Sequence, residues 1–242
     1  MFNLYYIKYS IDYLDERSII KSYNIQDLRQ HVRILLIDDE KFILEEPLKR
    51  AGFNITYKKD IEVFRDVEPY QIILCDIRGV GKSFGSDKEG AYLIKEVKRL
   101  YPTIQVIAYT GSSYDPTYNC YVQLADDFIP KGSPIDDWTS RLDEQIMIAV
   151  DPRKQWHRIR TYLLDEGIKT TVVAQIESKY VEGIITKSLK TLEDLAIGFD
   201  ENVTNSLSNI LTNSLIKLLV GGIINVITTK IWKGPNNRWV TY

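Results

Sequence analysis

Three acidic side chains close two apolar runs of this chain. VRILLIDDE (residues 32–40) places Asp38 and Asp39 after an aliphatic stretch, and QIILCD (71–76) ends on Asp76. Mg²⁺ takes oxygen ligands and keeps several waters, so one or two carboxylates are usually enough to hold it. Two further apolar runs also end on polar groups. VIAYTG (106–111) carries Thr110, and DDFIPK (126–131) ends on Lys131. A DDE tripeptide after an apolar run is common, and an aspartate that ends a core strand is often a helix cap. The ordered set of two acids, one acid, a hydroxyl and an ammonium describes a Mg²⁺-dependent pocket that accepts a phosphoryl group.

These residues need a scaffold that brings strand ends together. From residue 32 the periodicity predicts strands over 32–37, 54–58, 71–76, 105–109 and 127–130. Helical stretches are expected at 40–51, 61–67 and 88–100, with a short irregular one near 116–124. All the strands but the second are continuous apolar runs, as in a parallel sheet buried on both faces. Alternation of strands and helices implies a doubly wound sheet, whose ligands bind beyond the carboxyl ends of the strands. Asp38, Asp39, Asp76, Thr110 and Lys131 all fall at or just after such ends. Ser133 and Pro134 then open a helix to about residue 150, with Asp136 and Asp137 complementing its dipole. Asp151-Pro152 ends one helix and starts another, placing a boundary there.

Over residues 31–148 the chain resembles the receiver domain of bacterial two-component response regulators. The resemblance implies a flavodoxin-like, five-stranded parallel α/β fold, and the remainder of the chain reads as an all-α helical domain. The divisions are an N-terminal extension (1–30), a receiver (31–150) and a helical output or oligomerisation domain (151–242). It also implies that Asp76 is the phospho-acceptor. Asp38, Asp39, Asp76 and the backbone carbonyl of Arg78 would hold Mg²⁺. Lys131 and the Thr110 hydroxyl would meet the phosphoryl oxygens, and Phe128 would serve as an aromatic switch. The implied partner is a sensor histidine kinase or a phosphotransfer protein, and no enzyme activity is expected beyond the receiver's own phosphorylation and dephosphorylation.

The chain departs from the family pattern between Asp76 and Gly90. There RGVGKSFGSDKE makes a loop about six residues longer than usual, and the usual Met-Pro pair is absent. The stretch from Asp39 to Asp76 is short, which trims the first two helices, and Pro130 precedes Lys131 instead of following it. GVGKS invites a P-loop reading, but that motif needs glycine where Asp76 stands. The loop is read either as a solvated connection or as a basic lid with Lys82 or Lys88 near the phosphate.

Composition bounds the rest. A hydrophobic fraction of 44% and a charged fraction of 26% are those of a globular protein. Residues 151–242 hold 12 Lys/Arg against 9 Asp/Glu, too small a surplus for a nucleic-acid footprint. Cys75 and Cys120 lack metal-ligand spacing and suit a reducing compartment. The opening MFNLYYIKYSIDYLDERS turns charged before any long apolar core develops, so a cytoplasmic location is expected. FNLYYIKYSI suits a strand and ERSIIKSYNIQDLRQ a helix. Together they would form either an element packed on the receiver edge or a docking arm.

After residue 151, helices are predicted at 153–165, 170–185, 190–197 and 202–231. In the first, Trp156, Ile159 and Leu163 or Leu164 form the apolar stripe, leaving His157 on the surface. Residues 168–186 lack the turn glycine of a helix-turn-helix, so DNA binding is less favoured than protein contact. The uncharged apolar segment 218–227 is too short to span a membrane. It suits a buried bundle helix or a homo-oligomer interface, with membrane contact as the less favoured alternative.

Overall fold

The computed structural model describes residues 7–14, 24–111 and 123–186. These divide into two compact units, one of the described residues within 24–149 and the other of 7–14 with 150–186.

The first unit is an α/β sheet. Helix α1 (Ile25–His31) leads into β1 (Arg33–Ile37), followed by α2 (Glu45–Arg50), β2 (Asn54–Lys58), β3 (Ile72–Asp76), α3 (Glu89–Leu100), β4 (Gln105–Thr110), β5 (Asp127–Pro130) and α4 (Ile135–Val150). All four pairings are parallel, in the order β2-β1-β3-β4-β5. The central strands are buried throughout: Ile34 to Ile37, Ile72 to Cys75 and Val106 to Tyr109 are each at most 1% exposed. Burial on both faces is why these strands read as unbroken apolar runs. The edge strand β2 instead alternates at its start, with Asn54 and Thr56 exposed around buried Ile55. Ala91, Leu93, Ile94 and Val97 of α3 are buried, as are Trp138, Leu142 and Ile146 of α4. The strand order reverses between β1 and β3, where a doubly wound sheet opens a crevice at its carboxyl edge. The three aspartates stand at that point.

Several expectations are corrected. The helix predicted over 40–51 is only Glu45–Arg50. The carbonyls of Asp38 and Glu40 accept from the Tyr57 hydroxyl at 2.9 and 3.3 Å, and the Glu40 N–H bonds the Asp38 side chain, so the helical ladder cannot start there. The helix predicted over 61–67 is a 3₁₀ turn, Phe64–Val67. The helix after β5 begins at Ile135, and the Pro134 carbonyl, not Ser133, takes its first backbone bonds from Asp137 and Trp138.

The second unit contains α5 (Pro152–Asp165) and α6 (Thr170–Thr186). Asp151 caps α5, accepting the Arg153 N–H at 2.9 Å, with Pro152 in the first turn as the sequence predicts. Trp156, Ile159 and Leu163 are buried and His157 is exposed. The Trp156 and Tyr180 rings lie 5.2 Å apart, and the Trp156 indole donates to Glu177 at 2.8 Å. Helix α6 runs without a break across the segment weighed as a helix-turn-helix.

Residues 7–14 do not form the predicted strand and do not belong to the sheet unit. The Lys8 and Tyr9 N–H groups both donate to Ser178 Oγ at 3.1 Å, and the Ile11 N–H donates to Glu177 at 2.8 Å. Helix side chains thus take the donors that a neighbouring strand would have used. Residues 116–122 of the helix predicted at 116–124, the helices predicted at 190–197 and 202–231, Cys120 and the apolar segment 218–227 lie outside the described residues, and 123–124 form a turn. Among the described residues, no helix is long and apolar enough to cross a membrane.

Candidate functional site

Asp38 follows β1 directly and is fully buried, Asp39 is exposed beside it, and Asp76 closes β3 with 6% exposure. One carboxylate oxygen from each lies within 4.8 Å of the others. A buried carboxylate is costly unless it is paired, and here one cation serves two of them. Lys131 Nζ lies 2.9 Å from Asp38 Oδ2 and 2.9 Å from Asp76 Oδ2. Its position is set by backbone, because the Lys131 N–H extends the β4–β5 ladder to the Thr110 carbonyl at 3.0 Å. Burial pulls the ammonium pKa down, but the hydrogen bonds to Asp76 and Asp38 outweigh it and hold the pKa above its ordinary value. Burial pushes the Asp76 carboxyl up; Lys131 and the Arg78 N–H, 3.2 Å from Oδ1, oppose this only in part.

A residue that sequence reasoning did not single out completes the cluster. Tyr109 is fully buried in β4, and its hydroxyl donates to Asp38 Oδ2 at 3.0 Å. Burial and the nearby Asp38 push the phenol far up, which keeps the proton on the oxygen. The ring packs against Phe42 and Trp138 at 5.3 and 5.6 Å between centroids. The available signal was a tyrosine in an otherwise aliphatic core strand, since a buried phenol needs a partner.

Two glycines allow the close approach of the following loop and helix. A side chain at Gly79, whose φ is +81°, would fall on the Asp39 carboxylate. One at Gly90 would fall on the Asp76 carbonyl oxygen, so α3 can start against the end of β3 only with glycine there.

Other proposed site residues take defined places. Thr110 is the last residue of β4 and half-buried. Phe128 lies in β5 opposite Ala108, 39% exposed, three residues before Lys131. Arg78 follows the strand and is exposed. Of the two lysines considered for the loop, Lys82 reaches Asp39 at 3.5 Å, whereas Lys88 pairs with Asp87 at 3.1 Å.

No family model matches the chain. The "DNA-binding transcriptional regulator NtrC" of Proteus hauseri is 29% identical over 124 residues, covering 48% of this chain and 25% of the relative. Its Klebsiella pneumoniae counterpart is 30% identical over 118 residues, covering 46% and 24%. The chain thus spans about a quarter of the length of these curated relatives. A solved "response regulator receiver domain protein (CheY-like)" from Methanospirillum hungatei JF-1 is 22% identical, with a TM-score of 0.40, over 48% of this chain and 93% of its own. In this chain the parallel 2-1-3-4-5 sheet holds the acid trio at its switch point, with the lysine after the last strand. The sheet unit has the flavodoxin-like receiver fold.

The donor set of the receiver suits a hard divalent cation. Three carboxylates, two of them buried, offer only oxygen, the choice of Mg²⁺ over softer metals. His31 and His157 are exposed, and Cys75, though buried in β3 beside the site, is pushed far up by burial and stays a thiol.

Proposed function

We propose that the chain is a response regulator of a phosphorelay, switched by phosphorylation of Asp76. The observation that supports this best is the Lys131 ammonium held between Asp38 and Asp76 at the sheet's switch point. Asp38, Asp39, Asp76 and the Arg78 carbonyl would hold Mg²⁺, which neutralises charge on the transferring oxygens. An Asp76 oxygen attacks the phosphorus of an acyl phosphate or a phosphohistidine. The bond from phosphorus to that donor breaks, and the leaving group departs with the electron pair. Lys131 then moves its pairing from the Asp76 carboxylate to the new phosphoryl group, and Thr110 donates its hydroxyl to it. Phe128 responds to that movement on β5.

The donor is a sensor kinase or phosphotransfer protein in the cytoplasm, and the receiver catalyses only its own phosphorylation and dephosphorylation. Helix α4 (Ile135–Val150) and helix α5, which starts after Asp151, carry the change to the helical unit, which acts by protein contact or oligomerisation. The unbroken α6 favours that output over a helix-turn-helix in the same segment. The deciding experiment is native mass spectrometry with light scattering, with and without Mg²⁺ and beryllofluoride, beside Asp76→Asn. A beryllofluoride adduct and a change of mass or shape that need Asp76 support the reading. An identical response from the two proteins sinks it in favour of an inert scaffold.

Tyr109 gives this reading a finer test. A partner that fixes a metal-ligating carboxylate typically changes affinity by 10–100-fold when removed. Tyr109→Phe keeps the ring packing and deletes the Asp38 bond, so Mg²⁺ affinity should fall about tenfold. Magnesium titration followed by intrinsic fluorescence measures it, and an unchanged midpoint would assign Tyr109 to packing alone.

A further inference from the structure

The long loop after β3 is folded, and its folding places a second cation at the pocket. The Gly81 N–H donates to Asp60 Oδ1 at 2.8 Å and the Lys82 N–H to Asp60 Oδ2 at 3.3 Å. Ser83 Oγ donates to the Ile61 carbonyl at 3.0 Å, and Phe84 stacks on Phe64 with centroids 4.3 Å apart. At the other end, the Gly79 N–H donates to Glu89 Oε2 at 2.8 Å. The backbone on both sides of Lys82 is therefore fixed, and its ammonium lies 3.5 Å from Asp39 Oδ2. Lys131 serves Asp38 and Asp76, which leaves Asp39 as the acid that Lys82 neutralises.

We infer that Lys82 is a displaceable cation of the pocket. The anchored loop holds its ammonium on Asp39, a divalent ion must displace it to use that carboxylate, and metal occupancy is thereby coupled to the loop that follows the phospho-acceptor strand. This rests on reading the acid trio as a Mg²⁺ site. The coupling is modest by construction. Lys82 and Asp39 side chains are 63% and 39% exposed, the range in which an ion pair is weak and screened by salt. A weak pair suits the role, since a strong one would close the site to the ion.

The test is a Mg²⁺ titration of the full chain at low and at high salt, followed by intrinsic fluorescence and by the Gly81 and Lys82 amide signals in NMR. Lys82→Gln should bind Mg²⁺ about two- to fivefold more tightly than the unmodified chain at low salt, with the difference shrinking as salt rises. Asp60→Asn, which keeps the lysine and loosens its anchor, should shift affinity the same way by less. Lys88→Gln, whose ammonium sits on Asp87, should match the unmodified chain. In the unmodified chain, magnesium should move the two amide signals. Equal or weaker binding by Lys82→Gln overturns the inference while leaving the metal site standing. Absence of any Mg²⁺ response that depends on Asp39 overturns the site and the inference together.

Discussion

Replacing Lys131 with methionine should destabilise the metal-free protein by about 2–3 kcal/mol at neutral pH. Breaking a buried ion pair costs about 3–5 kcal/mol because a charge is left unpaired in a low dielectric. The 24% exposure of the lysine side chain reduces that figure. Two carboxylates, Asp38 at 0% and Asp76 at 8% side-chain exposure, would then face each other without a cation. Protonating Asp76, whose pKa burial raises, relieves them, so the deficit should be largest at neutral pH and shrink as pH falls. Urea denaturation at pH 7 and pH 5 measures this, and a deficit independent of pH would mean that lost packing was responsible. The same variant should hold beryllofluoride about tenfold less tightly or worse, since a hydrogen bond to a charged group is worth about 1.5–3 kcal/mol.

Asp76→Asn should do the opposite to stability and, on the proposed phosphorelay reading, remove the phospho-acceptor. The Asp76 pKa is raised in the fold, chiefly by burial. A group raised in this way contributes stability below its unfolded pKa and loses it as pH rises through the folded value. At neutral pH the ionised Asp76 is therefore a cost. Asparagine removes the charge and keeps an acceptor for Lys131 at the same place. The melting temperature should rise at pH 7, by about 2–4 °C for each kcal/mol relieved in a chain of this size. The gain should vanish in acid, where the native aspartate is protonated too. A variant that melts lower than the unmodified chain at pH 7 would mean that the Lys131 pairing outweighs burial. Incubation with acetyl phosphate should leave no hydroxylamine-sensitive phosphoryl group on this variant. The two substitutions remove opposite ends of one ion pair and are expected to move stability in opposite directions.

Much of the sheet was legible because its signals are local. VRILLI, QIILC and VIAY are continuous apolar runs, and only a strand buried on both faces needs that pattern at such short length. The acids were legible for the same reason, as each closes one of these runs. What escaped was set by contacts distant in sequence. Tyr57 lies 17 residues after Glu40, and its hydroxyl takes the carbonyl that a longer helix would have used. Asp60 reaches 21 and 22 residues ahead to fix the backbone of Gly81 and Lys82. Nothing in GVGKS itself shows that the lysine is anchored.

The Ser178 clasp has a consequence for how the protein is made. Lys8 and its acceptor are separated by 170 residues, and the whole sheet unit lies between them. At about 5–20 residues per second of synthesis, the leading segment emerges roughly 9–34 s before the helix it must find. The sheet unit can fold during that interval, but the helical unit cannot close until α6 has left the ribosome. The newborn chain therefore acquires its acidic pocket before its helical unit is whole, so the pocket can meet ions and partners while the second unit is still unfinished.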